Sequence, residues 1–135
     1  MLNFFSSYDG ASLVSEKAKV FLTHLNIKGL SFKKVNKNPP FYVPVTQNIV
    51  KFDTEKRGTR FENYCDLCSN YEYVVGATPV FLKNMDIIED MGWYNTDIHF
   101  GSNRGKHPLT IVGAGLKEVL KKEFKQQIYF DSVTE

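Results

Sequence analysis

Two stretches near opposite ends of the chain carry a helical repeat of apolar residues, and each leads into an extended segment. Over 15–26, Ala18, Phe21, Leu22 and Leu25 recur at i, i+3, i+4 and i+7, the spacing that gathers apolar side chains on one helix face. Ser15 can cap this helix, Glu16 suits its positive end, and Asn26 or Gly29 can end it. Over 113–124, Leu116, Val119, Leu120 and Phe124 repeat the pattern. At a constant offset, Val14 aligns with Val112, Lys19 with Lys117, Leu22 with Leu120, Phe32 with Phe130 and Val35 with Val133. This reads as a helix–turn–strand module used twice, and both copies are expected on one sheet.

The sequence between the helices alternates as strands do. Leu30 and Phe32 share one face of a short strand, Pro39-Pro40 breaks the chain, and 41–46 forms a strand that Pro44 places at a sheet edge. Ile49, Val50 and Phe52 continue in extended form. Residues 53–63 read as a polar loop centred on Gly58. Tyr71 to Val75 is a strand closed by Gly76, Pro79 to Leu82 is extended, and Met85 to Met91 is a short strand or a helical turn. Residues 101–108 form a loop, Leu109 to Val112 a strand, and Ile128 with Phe130 a last one. Two principal helices among about six strands predict an α+β fold with a mixed or mainly antiparallel sheet. Its 135 residues fit a single domain spanning 1–135.

Charge and hydropathy narrow the function. Seventeen basic and fifteen acidic residues leave a net charge of +2, far from the strong basic balance of a protein living on phosphate contacts. Lys33, Lys34 and Lys37 cluster, as do Lys121, Lys122 and Lys125, but acids elsewhere offset them. Nucleic acid is therefore not a favoured partner. No run of about 18 apolar residues occurs, so no membrane helix is expected. The first residues lack the basic and apolar regions of a signal peptide, and cytoplasmic residence is expected. In that reducing compartment two cysteines are not expected to form a structural disulfide.

Cys65-Asp-Leu-Cys68 is the most conspicuous motif. Tetrahedral structural zinc wants four ligands, and the chain has no second CxxC. Only His24, His99 and His107 remain as soft ligands, with no close spacing. Zinc at Cys65 and Cys68 is thus not favoured, and two ordinary cysteines in a turn are expected. A redox CxxC would normally open a helix after a strand, whereas this one lies between a polar loop and a strand. No G-x-S-x-G or H-E-x-x-H is present. An enzyme would have to unite residues such as Asp97, His99 and His107, which sequence alone does not connect. Gly113-Ala-Gly115 echoes a phosphate-binding turn, but Glu118 stands where its third glycine belongs. The chain is read as a binder rather than an enzyme.

The segment from Asp86 to Asp97 joins four acids to an aromatic pair, including the only tryptophan. Acidic residues around aromatic anchors can steer a basic partner and hold it by desolvated rings. Asp86, Glu89, Asp90, Trp93, Tyr94 and Asp97 are therefore the candidate partner-binding residues. The competing reading has Trp93 plugging the core.

Residues 14–35 follow the pattern S-x-K-x-x-x-x-L-x-x-x-x-I-x-G-x-x-F-x-x-V, and in this they resemble a module of bacterial polymorphic-toxin immunity proteins. Pro108-Leu-Thr-Ile-Val112, then a helix, then Ile128-Tyr-Phe130 resembles the closing segment of that group. The CxxC is similar to one half of the double-CxxCG proteins of a myxobacterial paralogous family. The second CxxC is missing here, Ser69 replaces the glycine after the motif, and Gly113 stands where a serine cap is expected. The resemblance covers about half of the chain. It implies an immunity protein that binds and neutralises a cognate toxin acting in the cytoplasm, with no cofactor. The alternative is a small zinc-stabilised module that binds nucleic acid or regulates.

Overall fold

The computed structural model describes residues 4–6, 12–125, 128, 130 and 132–134. Over them the chain has an α+β fold. Its elements run β1 (Phe4–Ser6), β2 (Ser12–Ser15), α1 (Glu16–His24), β3 (Leu30–Lys37), β4 (Pro40–Thr46), β5 (Ile49–Val50), α2 (Thr54–Arg57), β6 (Arg60–Cys65), β7 (Asn70–Val75), β8 (Val80–Phe81), β9 (Trp93–Ser102), a 3-10 turn (Asn103–Gly105), β10 (His107–Val112), α3 (Ala114–Phe124) and β11 (Val133–Thr134).

The capping chemistry of α1 is local. Ser15 leaves the strand in extended conformation, and its hydroxyl accepts the Ala18 N–H at 3.1 Å. Asn26, at φ 53°, turns the chain out of the helix, as the amide side chain tolerates. Ala18 and Leu22 are buried on the inner face. On α3 the buried residues are Leu116, Leu120 and Phe124, and the Phe21 and Phe124 rings meet edge to face with centroids 5.3 Å apart.

β1, β2, β4 and β3, in that order, form an antiparallel four-stranded sheet. A second sheet runs β10-β9-β7-β6, with β5 parallel to β9 beside its first half. β11 and β8 form a small parallel pair, and Phe52 bridges to Leu82. One buried cluster joins Val14, Ala18, Leu22, Ile27, Tyr42 and Trp93 to Leu116, Leu120 and Phe124 of α3. A second holds Val50, Phe52, Val80, Leu82, Tyr94 and Ile111.

The two module copies are alike up to their helices. Val14 stands next to last in β2 and Val112 last in β10, a cap residue follows each, and Leu22 and Leu120 enter the same cluster. Beyond that they diverge, because β2 and β3 belong to the four-stranded sheet while β10 belongs to the other and β11 pairs with β8. The expectation of one shared sheet is therefore corrected. The strand expected at 128–130 lies partly outside the described residues; Ile128 and Phe130 pack against the first cluster, and the last strand is β11.

Four further expectations change. Residues 53–63 are not one loop: Asp53 accepts the Lys56 N–H at 3.0 Å and starts the single turn α2, and β6 begins at Arg60. Residues 85–91 form neither strand nor helix but two turns, closed by Ile88 N–H to Met85 O and Gly92 N–H to Glu89 O. The loop expected at 101–108 shrinks to the 3-10 turn between β9 and β10. Pro44 sits on an internal strand. The pairing of β2 with β4 covers only Phe41 and Tyr42, so Pro44 lies beyond that ladder and meets only β3, opposite Phe32. The edges of this sheet are β1 and β3, and the exposed Lys33, Lys34 and Lys37 of β3 discourage pairing with another chain.

Candidate binding surface

The six residues picked from 86–97 do not form one surface. Trp93 and Tyr94 are 3% and 8% exposed, and they enter different clusters because neighbouring strand residues point to opposite faces. Trp93 therefore sits in a core, and Tyr94, although it lines the small pocket beside Glu89, is nearly buried, so neither is the exposed aromatic anchor expected of a contact residue. The Tyr94 hydroxyl accepts the Glu89 N–H at 2.8 Å and donates to Ile87 O at 3.1 Å, so it holds the preceding loop in place.

The four acids are exposed, and two of them have structural partners. Asp97 Oδ1 accepts the Phe52 N–H at 2.9 Å, tying β9 to the chain after β5. Asp90 Oδ1 accepts the Gly115 N–H at 2.9 Å, and its carbonyl accepts the Leu116 N–H at 2.9 Å. These bonds satisfy the first turn of α3, which Gly113 cannot cap with a side chain. Asp86 and Glu89 remain on the surface. Glu89 lines a pocket of about 250 Å³ with Lys28 and the exposed apolar residues Ile49, Ile87 and Met91.

A second, more aromatic surface lies on the β6–β7 hairpin, part of which the sequence presented as loop. Its register pairs Tyr64 with Tyr71 and Cys65 with Asn70, leaving Asp66–Ser69 as the turn. The Tyr64 and Tyr71 rings lie 5.1 Å apart, and Phe61 lies 5.4 Å from Tyr71. Tyr64 is 54% exposed, and Leu67 at the tip is fully exposed. Pairing between β7 and β9 covers only Tyr73 and Val74, so the tip half of the hairpin overhangs the sheet. The Lys106 ammonium donates to the Tyr71 carbonyl and props the overhang. Between the hairpin and residues 102–106 runs an open groove of about 1190 Å³, lined by Cys65, Cys68, Tyr71, Glu72 and Arg104 among others. β6 has no strand on its outer side among the described residues.

Sequence reasoning missed this cluster because Tyr64 and Tyr71 meet only through the hairpin register. The available signal was the run Asp66-Leu-Cys-Ser-Asn70 of turn-forming residues between two tyrosines.

Comparison with known proteins adds no relative. No family model, curated protein or solved structure matches the chain.

The remaining candidates are dispersed. Among the described residues no group of three or more His, Cys, Asp or Glu side chains is placed to hold a metal ion. His107 lies across from Phe100, which packs on the second cluster, whereas Asp97 and His99 are exposed on the other side of β9. No helix among the described residues is long and apolar enough to cross a membrane.

Proposed function

We propose that this protein acts by binding another protein, and that its partner is a bacterial toxin whose active site or substrate path it covers. The observation that carries the reading is the exposed group of Phe61, Tyr64, Leu67 and Tyr71 on an overhanging hairpin. Exposed aromatic rings in mutual contact are large, stiff anchors, and such residues dominate binding energy at protein interfaces. The resemblance of 14–35 and 108–130 to immunity proteins supplies the class of partner. On this reading the block on the toxin comes from binding alone, and the complex buries about 1,200–2,000 Å².

The test is to co-express the protein with any toxin encoded by a neighbouring gene. Restored growth and co-elution of the two chains are expected. Replacing Tyr64 and Tyr71 by alanine should weaken the complex by at least about thirtyfold, the effect of losing about 2 kcal/mol at an interface hot spot. Absence of both rescue and complex would remove the toxin reading. Full affinity in the tyrosine variants would move the contact to Ile49, Ile87, Met91 and Glu89.

A further inference from the structure

Both cysteines of the hairpin are free thiols, Cys65 half-buried at the end of β6 and Cys68 exposed in the turn. The turn folds back so that the Cys68 N–H points at Cys65 Sγ, 3.4 Å away, while Cys68 Sγ lies 4.0 Å from the Cys65 carbonyl. A helix N-terminus commonly supplies this kind of donor to a reactive cysteine. Here a four-residue turn between two strands supplies it. The adjoining groove leaves room for a small molecule beside both sulfurs.

We propose that Cys65 and Cys68 form a thiol–disulfide exchange site, with Cys65 as the attacking sulfur, Cys68 as the resolving sulfur and a low-molecular-weight disulfide as the oxidant. The Cys65 thiolate attacks one sulfur of the small disulfide. That S–S bond breaks, and the departing thiolate takes up the proton that Cys65 released. Cys68 then loses its proton and attacks Cys65 Sγ, expelling the second small thiol. The two protein thiols are oxidised to one disulfide, and the small disulfide is reduced to two thiols.

The order of attack follows from the direction of the hydrogen bonds. The Cys68 N–H donates to Cys65 Sγ, and hydrogen bonding from Cys68 and Leu67 holds the Cys65 thiol below its ordinary value against burial and the charge of Glu72. Hydrogen bonding to Cys65 pushes the Cys68 thiol up. The less exposed cysteine is therefore the more reactive one, since the thiolate is the nucleophile.

The test incubates the full chain with glutathione disulfide at neutral pH, quenches with acid and weighs the products. The wild type should lose its two thiol hydrogens and carry no glutathione. Cys68→Ser should trap glutathione on Cys65, and Cys65→Ser should react several-fold more slowly at Cys68. With limiting iodoacetamide the wild type should be alkylated at Cys65 first, a readout that needs no variant. Persistent glutathione on the wild type, or faster reaction at Cys68 than at Cys65, would overturn the proposal.

Discussion

Asp90 caps a helix that begins far beyond it in the chain: its Oδ1 accepts the Gly115 N–H at 2.9 Å across 25 residues. The bond brings the 85–92 loop onto the start of α3, and the fit leaves no space for side chains. A Cβ on Gly113 would stand 2.0 Å from Glu89 O, and one on Gly115 would stand 2.2 Å from Asp90 Oδ2. Asp90→Ala should cost about 1 kcal/mol, as loss of a helix cap does. Gly113→Ala should cost more, about 3 kcal/mol, because the obstacle is backbone. Urea midpoints measured at unchanged m-value decide the ranking.

Thr96 holds an irregularity in the sheet. Between the Pro108–His99 and Thr110–Asn95 pairs, β9 spends three residues where β10 has only Leu109. The fully buried Thr96 hydroxyl fills the gap, accepting the Leu109 N–H at 2.9 Å and donating to Ile98 O at 2.8 Å. Thr96→Val keeps the volume and strands both backbone groups, and should cost about 1–3 kcal/mol. Thr96→Ser should recover most of that loss in the same denaturation assay.

Trp93 is the only tryptophan and is buried, so it reports on folding rather than on contact. Its emission should be blue in the native protein, shift red on unfolding, and stay unmoved when a partner binds. Trp93→Ala should cost about 3–5 kcal/mol. A partner-induced change in tryptophan emission would contradict this placement.

Alkaline pH should weaken the fold through Tyr42. Its hydroxyl donates to Glu16 Oε2, and that bond raises its pKa, with burial and the Glu16 charge acting the same way. A phenol raised in the folded state stabilises fully below its unfolded value of about 10 and loses that contribution as pH climbs from there through its higher folded value. Tyr42→Phe should flatten the decline of stability above about pH 10. Tyr73, raised by its hydrogen bond to Glu72, should account for part of what remains.

The two principal helices were legible because each buries one face against one cluster, which is what a helical period records. β9 was not legible. Trp93 and Tyr94 are both buried, on opposite sides, so the alternation that marks a half-exposed strand is absent at its start. β6 failed for the converse reason: it is an edge strand with little buried surface, and Arg60, Glu62 and Asn63 read as loop. The candidate site suffered from both effects. The tryptophan chosen as an anchor is core, and the tyrosines that are exposed lie on strands set together only by pairing.

β9 is a party wall. Trp93 closes one apolar cluster, Tyr94 closes the other, and β5, β7 and β10 all lean on the same ten residues. Neither compartment can come apart without taking the wall from its neighbour. Despite its two cores, the molecule should therefore melt in one cooperative step, with the first amides of β9 among the last to exchange with solvent.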